Sequence, residues 1–179
     1  MPIPDMPALR KKMIHVYTGN GGGKTTAALG IAMRSLGHGH KVVMIQFMKG
    51  RKNIGEYKIQ NRLKSFRVYQ FGRKELIRPI TNLKNADYAL AKKGLKCIEQ
   101  VLDKEKPYLL ILDEVNLAAA IGLLEPKDVL KALEKANGRT YIIMTGRKAP
   151  REFIEKATIV TEVNDTKRKS ISARKGIEY

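Results

Sequence analysis

His15-Val16-Tyr17-Thr18-Gly19-Asn20-Gly21-Gly22-Gly23-Lys24-Thr25-Thr26 decides the fold. The apolar run Met13 to Tyr17 enters a glycine-rich turn. The turn runs into Lys24-Thr25-Thr26 and the helix former Ala27-Ala28-Leu29-Gly30-Ile31-Ala32. Strand, glycine turn and helix in that order are the setting a phosphate-binding loop requires. Glycines let backbone N–H groups close around phosphate oxygens. The helix start adds unpaired N–H donors and a positive dipole end. Lys24 brings a mobile charge, and the Thr25 hydroxyl is a ligand for Mg²⁺. The general pattern G-x-x-x-x-G-K-[ST] would place a glycine at position 18, where this chain has Thr18. The candidate nucleotide contacts are therefore Thr18, Gly19, Asn20, Gly21, Gly22, Gly23, Lys24, Thr25 and Thr26.

Outward from the loop, apolar runs alternate with helical patterns. Residues 13–17 read as a strand and 24–36 as a helix closed by Gly37-His38-Gly39-His40. Lys41 to Phe47 reads as a buried strand, followed by the basic loop Met48 to Asn53. The pattern predicts a short helix over 55–64, a strand over Arg67 to Phe71, and an irregular segment from Gly72 to Leu83. Asn85 to Asp103 is the longest helical pattern. Pro107 to Glu114 is a strand ending in two carboxylates. Helices across 117–136 break near Glu125-Pro126. A strand from Arg139 to Met144 ends in Thr145-Gly146-Arg147, Pro150 opens a short helix, and Ile159 to Val163 reads as a last core strand. This alternation predicts an α/β fold, a mostly parallel sheet with helices on both faces. Residues 1–12 read as an N-terminal arm and 13–179 as a single nucleotide-binding domain. In such sheets ligands sit beyond the carboxyl ends of the strands. The glycine loop, Asp113-Glu114 and Arg147 should therefore share one edge.

Composition narrows the class. A hydrophobic share of 43% over 179 residues suits a globular domain with its own core. No apolar run has membrane-span length, and Met1-Pro2-Ile3-Pro4-Asp5 is no signal peptide. A single cysteine, Cys97, fits a reducing, cytoplasmic setting, and its place on a helical apolar stripe makes it a packed thiol. The net charge of +18 is spread along the chain without an aromatic-interleaved basic block. It reads as a solvated surface that also draws in nucleotides, not as a nucleic-acid groove.

A carboxylate at a strand end can hold Mg²⁺ opposite Thr25, so Asp113 and Glu114 are the metal candidates, with no order between them. Glu114 also reads as part of a helix start. Arg147 reads equally as a grip on phosphate oxygens or as a surface arginine, while Arg34 lies far along the first helix and reads as a surface residue on its own. The histidines form no zinc site and no nucleophilic triad. Residues alone reach a Mg²⁺-nucleotide-binding α/β domain. Two further readings are a small-molecule kinase of the same fold and an ATP-dependent nucleic-acid-binding protein.

Several segments carry a resemblance. They are Tyr17 to Ala28, Arg34-Ser35-Leu36-Gly37-His38-Gly39, Val43-Met44-Ile45-Gln46-Phe47-Met48-Lys49-Gly50, Leu112-Asp113-Glu114, Thr145-Gly146-Arg147 with Ala149-Pro150, and Lys175-Gly176-Ile177-Glu178-Tyr179. Taken together the chain resembles the P-loop type of ATP:corrinoid adenosyltransferase, and Thr18 is what that family carries. The resemblance implies a P-loop NTPase-like fold. It also implies a reaction in which Co(I) of a reduced corrinoid takes the 5′-deoxyadenosyl group of ATP and triphosphate leaves. It adds Arg34 to the nucleotide contacts, gives Lys24 and Arg147 the catalytic part, and places the corrinoid near Phe71, Gly72 and Lys49. It implies ATP, Mg²⁺ and corrinoid as ligands, a homodimer, and a reductant protein that supplies electrons for Co(I). Two departures stand out: family members carry a basic residue where this chain has Gly22, and this chain has no Trp.

Overall fold

The structure is a computed structural model that describes residues 13–74, 83–136, 138–170 and 172–177. The arm over 1–12, most of the irregular segment (75–82) and the terminal Glu178-Tyr179 lie outside the described residues. The strands are β1 (Met13–Thr18), β2 (Val42–Phe47), β3 (Phe66–Phe71), β4 (Leu109–Asp113), β5 (Tyr141–Thr145) and β6 (Ile159–Glu162). The helices are α1 (Lys24–Gly37), α2 (Gly55–Ile59), α3 (Asn85–Gln100), α4 (Val115–Ala120), α5 (Pro126–Leu133) and α6 (Arg151–Lys156).

The strands form one sheet in the order β3-β2-β4-β5-β1-β6, and every pair is parallel. All carboxyl ends therefore lie on a single edge. Side chains alternate across each strand, so each strand feeds two cores. Val16, Val43, Ile45, Leu110 and Leu112 pack toward α3, α4, α5 and α6. Tyr17, Met44, Leu109, Ile111 and Ile143 pack toward Ala28 and Ala32 of α1. Every residue of β2 and β4 is buried, which is why both read as apolar runs interrupted only by Gln46 and closed by Asp113.

The sheet is parallel throughout, in line with the predicted alternation of strands and helices. The structure departs from the sequence reading in three places. The helix expected over 55–64 is regular only to Ile59 and runs on in tighter turns, the Asn61 N–H donating to Lys58 and the Arg62 N–H to Ile59, while the Gln60 amide oxygen accepts from the Val68 N–H at 3.1 Å. That bond satisfies a donor on β3, which has no further strand beside it among the described residues. The long helix keeps α geometry to Gln100 and ends in one π turn, Val101–Glu105. The last strand is not in the core. β6 pairs only with β1, and Ile159 and Val160 are 41% and 42% exposed. Its apolar residues suit a strand backbone, but among the described residues no helix covers them. Cys97 is buried as expected, and burial pushes its thiol up to about 11, leaving it unreactive.

Two helical glycines predict opposite effects of one substitution. A Cβ on Gly94 of α3 would lie 2.5 Å from Cε1 of the fully buried Phe47, whereas one on Gly30 of α1 would meet nothing within 4 Å. Gly30→Ala should stabilise by about 0.5–1 kcal/mol through helix propensity. Gly94→Ala should destabilise by about 1–3 kcal/mol through overpacking. Urea denaturation of the two variants checks the signs.

Candidate active site

The glycine loop leaves β1 and turns into α1 through Gly23, whose φ of 93° puts it in the left-handed region that favours glycine. The Lys24 side chain folds back over the loop, its ammonium donating to the carbonyls of Gly19 at 2.9 Å and Gly21 at 2.5 Å. The chain after β6 runs alongside the loop and bonds to it. The Gly21 N–H donates to the Val163 carbonyl at 2.8 Å, and the Gly22 N–H donates to Asp165 Oδ1 at 3.0 Å. A Cβ on Gly21 would sit 2.8 Å from the Asn164 carbonyl carbon. That glycine is thus required by the close approach of a second segment as much as by any ligand. Thr18 earns its place through its hydroxyl, which accepts from the Ala149 N–H at 3.2 Å and ties the end of β1 to the turn after β5.

Opposite the loop, Asp113 ends β4 with its side chain fully buried. Its Oδ1 accepts from the hydroxyls of Thr25 at 2.8 Å and Thr145 at 2.7 Å. Its Oδ2 accepts from Lys49 at 2.6 Å and from the Gln46 amide at 3.1 Å. A carboxylate offers about four acceptor positions, and here all are taken. Burial alone would raise the Asp113 pKa, but Lys49 and the two hydroxyls more than reverse it and hold the group below the usual carboxylate range. Burial likewise disfavours the Lys49 ammonium, and Asp113 outweighs that, holding lysine above its ordinary value.

Glu114 differs. It is the left-handed residue before α4, at φ 59°, and its carboxylate accepts no hydrogen bond among the described residues. Backbone strain of this kind, on the order of 1–2 kcal/mol, collects at functional sites. Burial first, and then the neighbouring Asp113 charge, raise its pKa, while Lys49, Lys24 and Arg147 oppose the rise. Lys24 is depressed chiefly by burial and further by Arg147 and Arg168, with Glu114 and Asp165 opposing. Arg147 follows Gly146, at φ 132°, where a Cβ would lie 2.9 Å from the Leu117 nitrogen. The buried Asn116 amide donates to the carbonyls of Tyr17 at 3.0 Å and Gly146 at 3.1 Å, locking the exits of β1 and β5 together. Thr25, Asp113 and Glu114 supply only oxygen donors, the hard set that suits Mg²⁺. Among the described residues no cluster of three His, Cys, Asp or Glu could hold a metal alone.

The structure thus brings Thr18 to Thr25, Asp113, Glu114 and Arg147 to one stretch of the edge. Asn20 and Thr26 are exposed beside it. Arg34 is in the last turn of α1, roughly 15 Å along the helix axis from Lys24, so it is not brought to the loop. Phe71 and Gly72 line a small pocket with Phe47, Met48 and Asp87 at the far end of the same edge. β3 and β1 stand four places apart in the sheet, roughly 19 Å. The Lys49 backbone packs against Gly72, with no room for a Cβ there, while its ammonium reaches Asp113. The sequence reading missed Gln46, Thr145, Asn116 and Asp165. Gln46 carried a signal, as a polar residue inside the apolar run Val42–Phe47; Asp165 carried none.

The ATP:corrinoid adenosyltransferase BtuR/CobO/CobP family matches residues 10–179. A corrinoid adenosyltransferase of Pseudomonas aeruginosa is 35% identical over 92% of this chain and 82% of its own length. One from Escherichia coli (strain K12) is 33% identical over 93% of this chain and 85% of its own. Among solved structures, flagellar accessory protein FlaH of Methanocaldococcus jannaschii superposes with a TM-score of 0.58 at 14% identity, covering 84% of this chain and 70% of that one. A KaiC-like protein of Pyrococcus horikoshii OT3 superposes with a TM-score of 0.56 at 16% identity, over 87% of this chain and 74% of that one. Both share the fold.

The position of Glu114 yields a stability prediction. Its folded pKa is raised, so the fold favours the protonated form, and ionisation costs stability as pH rises through the folded pKa. Glu114→Gln mimics the protonated form. It should raise the melting midpoint at pH 7.5, by about 2–4 °C for each kcal/mol relieved. The gain should vanish near pH 4, where glutamate is protonated in both states. Thermal denaturation of both proteins across that range is the measurement.

Proposed function

The chain belongs to the ATP:corrinoid adenosyltransferase family, and from that premise we propose that it moves the 5′-deoxyadenosyl group of ATP onto the Co(I) of a corrinoid. The match across residues 10–179 carries this reading. In the reaction the cobalt electron pair attacks C5′ and the C5′–O bond breaks. The electron pair of that bond departs with inorganic triphosphate. Charge therefore grows on the leaving group, and the protein's task is to hold and stabilise it. Loop N–H groups, Lys24 and Arg147 face that task from one side of the edge. The nucleophile carries no proton, so no general base is needed, and none of the histidines is placed as one.

Mg²⁺ brought with the triphosphate would be held by the Thr25 hydroxyl and the Glu114 carboxylate, where it would neutralise phosphate charge. Asp113 is saturated by protein donors, so its part is to orient Thr25 and anchor Lys49. The corrinoid lies along the same edge toward Phe71 and Gly72, which lets the sugar carbon point away from the loop. The protein adds orientation and water exclusion to chemistry the corrinoid supplies. Among the described residues no helix is long and apolar enough to cross a membrane. The family resemblance supports a cytoplasmic enzyme with residues 13–179 as one domain, acting as a homodimer and served by a reductant protein.

Incubation with ATP, Mg²⁺ and chemically reduced cobalamin should give the alkylcobalamin spectrum and free triphosphate in equal amounts. Release of ADP without a Co–C product would point to a kinase instead. Lys24→Ala should lower turnover by about 10²–10³-fold. Glu114→Gln should lower it too, with partial recovery at high Mg²⁺.

A further inference from the structure

The segment after β6 carries charges that the chemistry above does not use. Asp165 Oδ1 accepts from the Gly22 N–H at 3.0 Å, and its Oδ2 accepts from Arg168 Nη1 at 2.9 Å. One carboxylate thus engages a loop amide and a guanidinium together. Arg168 Nη1 also lies 3.8 Å from the point where a Cβ on Gly22 would stand, so the guanidinium covers the open side of the loop at that residue. The segment that carries Arg168 is fixed to the loop by two backbone bonds, Gly21 N–H to Val163 and Val163 N–H to Thr18.

We propose that Arg168 is a triphosphate-binding residue, and that a phosphoryl group takes the Gly22 N–H and the Arg168 guanidinium in place of the Asp165 carboxylate. This rests on the reading that the glycine loop holds the triphosphate of ATP. A loop N–H beside a guanidinium is a donor pair suited to a phosphoryl oxygen. The Asp165 carboxylate occupies that pair as an internal anion. An exposed ion pair three residues apart contributes little, so exchanging it for a more highly charged ligand costs little. Arg168 and Arg147 both act electrostatically on Lys24, which places three cations around the loop. Position 22 needs no glycine for its backbone: its φ lies outside the left-handed region and a side chain there meets nothing closer than 3.8 Å. The space a cation at position 22 would fill is the space Arg168 reaches from the other segment.

The test is calorimetric titration of the full chain with inorganic tripolyphosphate, with Mg²⁺-ATP and with adenosine. Arg168→Ala should weaken tripolyphosphate and ATP binding by about 10-fold or more, the loss of a charged hydrogen bond, and leave adenosine unchanged. Arg168→Lys should recover part of the loss. Adding Gly22→Lys to Arg168→Ala should recover most of it by returning a cation to the same space. Wild-type tripolyphosphate affinity in Arg168→Ala, alongside weak binding in Lys24→Ala, would overturn the proposal and leave the loop reading intact. Wild-type affinity in both variants would overturn the loop reading and the proposal with it.

Discussion

The buried Asp113 carboxylate is the constraint on which the edge depends. A lone ionised carboxylate in a sheet interior is strongly unfavourable, and removing one partner of such a pair costs about 3–5 kcal/mol. Asp113 avoids that cost only if its four partners arrive together. Thr25 comes from α1, Gln46 from β2, Lys49 from the turn after β2, and Thr145 from β5. Their convergence fixes the heights of β2, β4 and β5 at the carboxyl edge and the rotation of α1 about its start. β5 stands between β4 and β1, and Thr145 spans the gap while its oxygen also accepts from the Glu114 N–H at 3.1 Å. A saturated Asp113 leaves Glu114 as the carboxylate open to a ligand.

A second constraint acts on the other side of the loop. Phosphate-binding glycines are usually explained by the ligand they approach. Here Gly19 and Gly21 also face the backbone at 163–165, with no room for a Cβ. The loop is thus packed directly against an edge segment. β6 is exposed on its apolar residues, yet it is needed because it delivers Val163 and Asp165 to the loop. Low burial and a high positional demand coexist because backbone hydrogen bonds, not core packing, do the positioning.

Much of the site was legible from residue order. A glycine turn between an apolar run and a helix former announces the loop, and an apolar run ending in two acids announces its partner. β2 and β4 were legible for the same reason: full burial on both faces leaves a mainly apolar sequence. β6 was misplaced because β-branched Ile159, Val160 and Val163 suit a strand, and strand sequence does not say whether a helix covers it. Lys49 stood inside a recognisable segment, but its partner is 64 residues away and has no local trace.

The sequence by itself determined that strands and helices alternate, where the glycine loop lies, and which acids end a buried strand, because each of these is a local pattern of polarity and backbone freedom. Tertiary structure alone decided that Asp113 is consumed by Thr25, Gln46, Lys49 and Thr145 while Glu114 stays open. It alone decided that Arg34 ends up away from the loop and that Asp165 and Arg168 end up on it. The physical reason is that hydrogen-bond partners are chosen by strand order and register, and neither is written in the spacing of residues along the chain.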